Sequence, residues 1–292
     1  MKYALRHVTT YAYESQVDLA SHLLHLSPRA MPGQTVLTQA ITTDPAPDRT
    51  AIGIDHFGND VRWLFLETPH QRFSVSARAV VEVDRSPPPD AAVTPLATSL
   101  AALASGAAAT NVAEFLFDSP LAPTDSTVAD FAVRFFPPGT TTLAGALAMM
   151  HAIHQEFAFR AGVTSVATTV AQILKLRAGV CQDFSHLMVA SLRVAGVPAR
   201  YVSGYIRTRP PPGAPRRLGA DQSHAWVAAW LGPDLGWVEL DPTNGLIVKD
   251  EHVVLGWGRD FADVSPLRGL ILGGGRHRLT VGVDLDPMTD AK

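Results

Sequence analysis

A run of three consecutive prolines divides this chain into two parts with different patterns. The run lies within residues 86–90 (Ser-Pro-Pro-Pro-Asp). Such a run cannot lie inside a helix or a central strand, because proline fixes φ and has no backbone N–H to donate. Before it the residues alternate in the manner of strands, whereas helical spacing follows it. We therefore expect an all-β unit at residues 1–85 and a second unit at residues 86–292.

The first unit is predicted to consist of strands alone. In residues 2–14 every second side chain would share one face of a strand, and these side chains are Tyr3, Leu5, His7, Thr9, Tyr11 and Tyr13. Further strand-like runs occupy residues 18–26, 35–43, 50–57, 60–68 and 72–84. Between two of these runs, Gly58 and Asn59 predict a hairpin turn.

The second unit mixes helices with strands. Helical spacing predicts helices at residues 110–118, 126–135 and 142–157, and residues 169–172 (Thr-Val-Ala-Gln) have the form of a capping box that opens another helix. Strand-like runs follow at residues 200–208, 223–231, 236–240 and 278–285. This order indicates an α+β fold rather than a doubly wound α/β fold.

Composition restricts the classes of function. Apolar residues make up 47% and charged residues 17% of the 292 residues, so the chain can bury a substantial core. The net charge of -3 gives no electrostatic footprint for nucleic acid or a membrane surface, and no run approaches the ~18 apolar residues that span a bilayer. The N-terminus lacks the apolar segment of a secretory signal. We expect a cytoplasmic protein without nucleic-acid or membrane partners; its oligomeric state stays open.

Cys181 is the only cysteine, and it lies where a predicted turn becomes a helix. Gly179 permits a close backbone approach, and the apolar side chains after Cys181 keep helical spacing until Gly196. Unpaired N–H groups and the positive end of the helix dipole favour a thiolate at this position. Cys181 is therefore a candidate nucleophile, and a small buried hydrophobe is the alternative. A single cysteine excludes an intrachain disulfide and a cysteine-rich metal site, and we expect no cofactor.

A nucleophilic thiol needs a base, and His224 has the most suitable position among the 11 histidines. It lies near the start of a predicted strand, from which it can point into a cleft. Asp241 follows the next strand, across a short hairpin loop, and can fix the tautomer of the imidazole. The alternatives are a hydrogen-bonded core histidine for His224 and a turn cap before Pro242 for Asp241.

Three segments around these residues resemble the signatures of the bacterial transglutaminase-like superfamily. They are residues 179–187 (Gly-Val-Cys-Gln-Asp-Phe-Ser-His-Leu), 223–226 (Ser-His-Ala-Trp) and 237–244 (Trp-Val-Glu-Leu-Asp-Pro-Thr-Asn), in the order expected of the family. Flanking residues 196–205 and 258–268 are also similar, and residues 9–13 and 22–29 resemble the β domain that precedes the core in many bacterial members. The resemblance covers nearly the whole chain.

The resemblance implies a papain-like core with a Cys–His–Asp triad. In that core Cys181 is the nucleophile, His224 is the general base and acid, and Asp241 is the orienting carboxylate. The family includes protein cross-linking enzymes, peptidases, amidases and members that have lost catalysis, and the shared step is attack on an amide carbonyl to give a thioester. We therefore expect a peptidase- or amidase-like enzyme acting on a peptide, protein or other amide. An amine-accepting protein transglutaminase and a noncatalytic interaction protein are the alternatives.

Some neighbours of these three residues are also candidates for a role in the site. Trp226 is a candidate substrate contact because it adjoins His224. The oxyanion would be held by the Cys181 backbone N–H and a second donor, for which Gln172 and Gln182 are candidates.

Other charged or ligating side chains carry weaker expectations. Asp183 should point away from the thiol and stabilise the helix N-terminus, and His186, about 140° around the helix from Cys181, should pack or bond locally. Two histidine pairs are weak metal candidates without an acidic partner motif, namely His151 with His154 and His22 with His25. A proline-rich loop carries arginines that either attract an acidic substrate or are simply solvated, namely Arg207, Arg209, Arg216 and Arg217.

Overall fold

The computed structural model describes residues 1–86, 94–106, 110–208 and 222–288. The strands are β1 (Lys2–Leu24), β2 (Gln34–Asp44), β3 (Arg49–Ile54), β4 (Asp60–Leu66), β5 (His70–Val83), β6 (Ala158–Phe159), β7 (Ala178–Gly179), β8 (Ala199–Ile206), β9 (Gln222–Trp230), β10 (Trp237–Asp241), β11 (Leu246–Ile247), β12 (His252–Gly258), β13 (Leu267–Gly273) and β14 (His277–Met288). The helices are α1 (Leu96–Ala104), α2 (Thr110–Ala113), α3 (Ser126–Ala132), α4 (Thr142–Glu156), α5 (Val170–Leu176), α6 (Cys181–Val194) and α7 (Phe261–Val264). Within these ranges no helix is long and apolar enough to cross a membrane. The three prolines of the run at 86–90 and the loop residues Arg209, Arg216 and Arg217 lie outside the described residues.

The N-terminal sheet is built around β1. In this sheet the strands follow one another in the order β2, β5, β1, β4, β3. The first half of β1 pairs with β5 and its last residues pair with β4. The sequence predicted separate strands at residues 2–14 and 18–26. The chain instead continues as one strand of 23 residues whose pairing register shifts between Ala12 and Val17.

The last two described strands complete this same sheet. β14 pairs with the first half of β1, so that Lys2 lies opposite Met288 and Tyr13 lies opposite His277. β13 pairs with the second half of β1. The strand pairing therefore divides the chain differently from the expected division between residues 1–85 and 86–292, because β13 and β14 hydrogen-bond to the N-terminal unit.

The core of the second unit is a helix packed on an antiparallel sheet. Its described strands run in the order β11, β10, β9, β8, β12. Val227, Ala229 and Leu240 of this sheet join Leu187 and Met188 of α6 in one buried apolar cluster. Each large apolar side chain buried in this way contributes roughly 1.5–3 kcal/mol, so the cluster fixes α6 on the sheet. The predicted α+β fold is confirmed, with an N-terminal β-rich region and a cysteine-bearing helix on an antiparallel sheet.

Two side-chain amides hold the N-terminal sheet against β12, which is an edge strand of the core sheet. Gln34 donates to the carbonyl of Val254 at 2.9 Å and accepts the N–H of the same residue at 2.8 Å. Asn59 forms the equivalent bonds with the carbonyl and the N–H of Trp257, at 2.8 and 3.0 Å. These bonds satisfy backbone groups that a further strand would otherwise pair with, so the edge of the core sheet is covered.

Candidate active site

Cys181 is the first residue of α6 and is partly exposed. The turn before it requires glycine, because a Cβ added to Gly179 would lie 2.7 Å from Asp183 Oδ2. That oxygen accepts the backbone N–H of Val180 at 2.8 Å and the hydroxyl of Thr164 at 2.7 Å. Asp183 therefore closes the turn that presents the thiol, which is the structural role predicted for it.

The first turn of α6 offers donors beside the thiol. Cys181 and Gln182 occupy the first two helical positions, where backbone N–H groups have no acceptor inside the helix. The part of the chain that the structure describes supplies no other acceptor for them. Gln172, the other sequence candidate for an oxyanion donor, belongs to the capping box of α5, where its Oε1 accepts the N–H of Thr169 at 2.9 Å.

His224 and Asp241 meet across the hairpin of β9 and β10. Trp237 pairs with Trp230, so Asp241 comes to lie near the start of β9, as the loop length predicted. His224 Nε2 donates to Asp241 Oδ2 at 2.8 Å, and both side chains are buried. The second ring nitrogen of His224, Nδ1, is then the atom available to Cys181.

Asp241 is a hub of hydrogen bonds that the sequence did not predict in full. Its Oδ2 accepts from His252 Nε2 at 3.0 Å and from Asn244 Nδ2 at 2.7 Å, in addition to His224. Its Oδ1 accepts the backbone N–H groups of Thr243 and Asn244 at 2.9 and 3.1 Å. Asn244 ends the third family-like segment and could have been found there. His252 is the first residue of β12, and no local sequence pattern distinguishes it from the other histidines as a partner of Asp241.

These contacts determine the protonation states of His224 and Asp241. Burial alone would lower the pKa of His224, but hydrogen bonds with Asp241 and with Cys181 outweigh it and raise the pKa to about 10. Burial would raise the pKa of Asp241, but hydrogen bonds from His224, His252 and Asn244 hold it well below its usual range. At neutral pH the imidazole of His224 is therefore protonated and bonds to the carboxylate of Asp241.

The same hub is the one group of three potential metal ligands found among the described residues. His224, Asp241 and His252 offer ligand atoms within 4.8 Å of one another. Both histidine nitrogens lie at 2.8 and 3.0 Å from the same carboxylate oxygen, which are hydrogen-bond lengths. Ligands of a tetrahedral ion with ~2.0 Å bonds are separated by roughly 3.3 Å, so we assign these contacts to hydrogen bonds.

Trp226 lies beside this site without facing a cleft. Its side chain is fully buried. The indole N–H donates to Glu239 at 2.7 Å, and the ring stacks on His224 with a centroid distance of 5.9 Å. The suggested role as a substrate contact does not fit this position, because no surface of the ring is open. Trp226 instead fixes the orientation of the His224 ring.

The remaining sequence candidates have local roles. His186 is buried and lies tilted against Tyr201 with a centroid distance of 4.8 Å, which confirms the expected packing. Its ring accepts the N–H of Phe261 at 3.2 Å, a bond to a residue far along the chain rather than a local one. His154 lies 2.8 Å from the carbonyl of Thr243, next to the hub. Neither of the histidine pairs considered as metal candidates belongs to a group of three ligands in the described ranges.

Comparison with known families follows the two units of the fold. Residues 3–82 match the bacterial transglutaminase-like N-terminal region, and residues 129–242 match the transglutaminase-like superfamily. An uncharacterized protein of Mycobacterium tuberculosis is 35% identical over 98% of this chain and 93% of its own length. An uncharacterized protein of Mycobacterium leprae is 32% identical over 96% of both chains.

Two further similarities connect the chain to proteins with a stated activity. A protein-glutamine gamma-glutamyltransferase of Pseudomonas aeruginosa is 35% identical over 100 residues, which are 32% of this chain and 15% of that protein. The solved structure of a candidate cysteine protease from Cytophaga hutchinsonii has a TM-score of 0.77 at 22% identity, covering 100% of this chain and 92% of that one. The latter match shows a shared fold, and together the matches support a cysteine-based activity at the level of the family.

Proposed function

The chain belongs to the transglutaminase-like superfamily, and we propose that it transfers acyl groups from an amide through a thioester on Cys181. The observation that carries this proposal is the position of His224. Its Nε2 donates to Asp241 at 2.8 Å, and a hydrogen bond with Cys181 is one of the causes that raise its pKa. Burying a charged imidazole is unfavourable in free energy, because the charge loses its contact with water. A protein that served only as a scaffold would have no need for such a group beside a partly exposed thiol. The proposed catalytic residues are Cys181 and His224, and Asp241 orients the imidazole.

The first half of the reaction forms the acyl-enzyme. With the Cys181 proton resting on His224, the sulfur attacks the amide carbonyl as a thiolate. The negative charge that develops on oxygen is stabilised by the backbone N–H groups of Cys181 and Gln182. His224 Nδ1 then donates its proton to the leaving nitrogen as the C–N bond breaks. The products are a thioester on Cys181 and a free amine or ammonia.

The second half returns the enzyme to its starting state. Neutral His224 takes a proton from the acceptor, which attacks the thioester carbonyl while the C–S bond breaks. Asp241 holds Nε2–H throughout, so only Nδ1 exchanges protons with the substrate. With water as the acceptor the reaction is that of a peptidase or amidase, and we propose this outcome first.

An amine acceptor is the second candidate. It is favoured by the similarity to the Pseudomonas aeruginosa protein-glutamine gamma-glutamyltransferase over 100 residues. A glutamine-containing peptide, supplied with and without a fluorescent primary amine, separates the two outcomes. Ammonia release without incorporation of the amine identifies hydrolysis, and incorporation identifies transfer.

The nucleophile is tested independently of the substrate by iodoacetamide. Because Cys181 is the only cysteine, alkylation of the intact protein followed by mass spectrometry reports on one atom. We expect labelling near neutral pH to exceed that of a free thiol with a pKa of ~8.5 by at least about tenfold. His224→Ala should remove this excess, whereas His151→Ala, on the exposed side of α4, should keep it. Equal labelling of the wild type and a free thiol would refute the proposal.

A further inference from the structure

A cavity of about 570 Å³ lies on the face of the core sheet that is turned away from α6. Along β10 the cavity is lined by Trp237, Val238 and Glu239, of which Val238 also belongs to the apolar cluster around α6. Residues of the N-terminal unit close its other side, among them Arg85. Ligand cavities of ~300–1,000 Å³ are common at boundaries between structural units. Cys181 is not among the residues that line this cavity.

Arg200 is the polar group of this cavity that lacks a counterpart. It is 9% exposed, and its Nε is buried without a hydrogen-bond acceptor. Nowhere in the described ranges does a carboxylate come within ion-pair distance of its guanidinium. The guanidinium instead lies against three aromatic rings, those of Trp237, Trp257 and Phe115, at 3.7, 4.6 and 4.7 Å from their centroids. Cation–π contacts of this kind offset part of the loss of water, but they leave the N–H donors unused.

The other charged groups of the cavity have partners or lie in water. Arg85 pairs with Glu239 at 3.2 Å, and Asp234 accepts the hydroxyl of Thr94 at 2.8 Å. Asp84 is exposed at the rim, where water screens its charge. The Nε atoms of Arg85 and Arg29 are also buried without an acceptor, but these two guanidiniums bond to Glu239 and to Asn59 through their other nitrogens, whereas Arg200 has no ion pair or hydrogen bond among the described residues. Glu114 and Glu239 act on this guanidinium only from beyond ion-pair distance, and a bound anion would supply the direct counter-charge that is missing.

The surroundings define the chemistry of the anion. Arg85 and Arg200 face the cavity together with Asp84, Asp234 and Glu239, so a single negative charge fits better than a doubly charged phosphate. The fork of a guanidinium matches a carboxylate through two parallel hydrogen bonds. The aromatic walls suit a flat or apolar body attached to that carboxylate.

We propose that this cavity is a second ligand site, which binds a small organic monocarboxylate through Arg200. The carboxylate pairs with the guanidinium, and the body of the ligand packs against Trp237 and Trp257. The ligand meets the side of the sheet on which Glu239 bonds to Trp226, and Cys181 is not among the residues that line the cavity. A free acid and the C-terminus of a peptide share this chemistry.

The test compares benzoate with its neutral analogue benzamide, by ligand-observed and protein-observed NMR on the full chain. We expect saturable binding of benzoate that is at least about tenfold tighter than that of benzamide. Of the indole N–H signals of the five tryptophans, those of Trp237 and Trp257 should shift. Arg200→Gln should abolish the preference for benzoate. A dipeptide with a free C-terminus, compared with its amidated form, separates a peptide end from a free acid.

Matched variants keep the result unambiguous. Arg134→Gln removes an exposed guanidinium that pairs with Glu156 far from the cavity, and it should bind benzoate as the wild type does. Cys181→Ser should also leave binding unchanged. Equal binding of benzoate and benzamide overturns the proposal without any variant, and it therefore decides the matter even if Arg200→Gln fails to fold. Binding by Arg200→Gln at wild-type strength, or no saturable binding of any carboxylate in a set of aliphatic, aromatic and peptide acids, overturns it as well.

Discussion

Replacing Asp241 by asparagine isolates the charge that controls His224. The asparagine Oδ1 can still accept the backbone N–H groups of Thr243 and Asn244, so the turn after β10 is retained. Its Nδ2 takes the place of Oδ2. Because an amide nitrogen only donates hydrogen bonds, it cannot accept the N–H of His224 Nε2 or that of His252 Nε2. The variant therefore removes the counter-charge while it leaves the backbone contacts in place.

The magnitude follows from the pKa of His224. Burial opposes the charged form, yet the hydrogen bonds with Asp241 and Cys181 raise the pKa from 6.5 to about 10. This difference corresponds to roughly 5 kcal/mol of preference for the imidazolium in the folded protein. Without the carboxylate, only Cys181 still opposes the effect of burial, so the pKa of His224 falls toward its ordinary value.

The sign of the stability change follows by linkage. A histidine whose pKa is higher in the folded state contributes its full stabilisation below pH 6.5, and this stabilisation is lost as the pH rises toward about 10. The free energy of unfolding of the wild type should therefore decline across this window by up to several kcal/mol. In Asp241→Asn the decline assigned to His224 should vanish, because the two states then bind its proton with similar affinity.

Two measurements check this reasoning. Imidazole NMR, with His224→Gln for assignment, follows the protonation of the ring, and urea unfolding at several pH values gives the free energy. Glu156→Gln is the control, since it converts an exposed carboxylate that binds Arg134 and Arg177 and should not alter either curve. A wild-type His224 that titrates near its ordinary value of 6.5, or a raised pKa that survives in Asp241→Asn, would refute the reasoning.

Three further outcomes test other parts of the site and core. His252→Gln keeps a donor for Asp241 and should lower the turnover of the proposed acyl transfer less than His252→Ala, which removes the donor from a buried carboxylate. Equal losses in both variants would contradict a positioning role. Gly204→Ala should destabilise the fold by more than about 2 kcal/mol in urea unfolding, because the added Cβ would lie 2.4 Å from the Trp226 ring. Burial lowers the pKa of His186 to about 4, so unfolding measurements should show its stabilisation declining as the pH falls from 6.5 toward 4, and His186→Gln should flatten that decline.

Much of the candidate site could be predicted from the sequence because its parts are local. The turn before Cys181 needs Gly179, and the hairpin loop sets how far Asp241 lies from His224; both are short-range constraints. His252 could not be found in this way, because it reaches Asp241 from β12, on the other side of β8 and β9. Eleven histidines offer no local sign that distinguishes the one that completes the hub.

The fold shows the same limit. Alternation and helical spacing located the strands and α6, because burial of one face imposes these periods on the sequence. The partners of a strand are not encoded in its own period. The continuity of β1 and the return of β13 and β14 to its free edge therefore lay outside the reach of local patterns. The structural role of Trp226 was missed for a similar reason, since the burial of its outer face depends on β12 and the N-terminal unit.

The return of the last strands to β1 has a consequence for how the molecule assembles. Pairs such as Tyr3 with Pro287 join residues at opposite ends of the described chain, which gives the N-terminal sheet a very high contact order. During synthesis β1 leaves the ribosome more than 200 residues before β14. The edge of β1 that pairs with β14 therefore stays unpaired during this time, while the core around α6 can already form. An isolated fragment that ends near residue 85 would keep that edge open permanently and should self-associate, even though its sequence pattern resembles that of a complete domain.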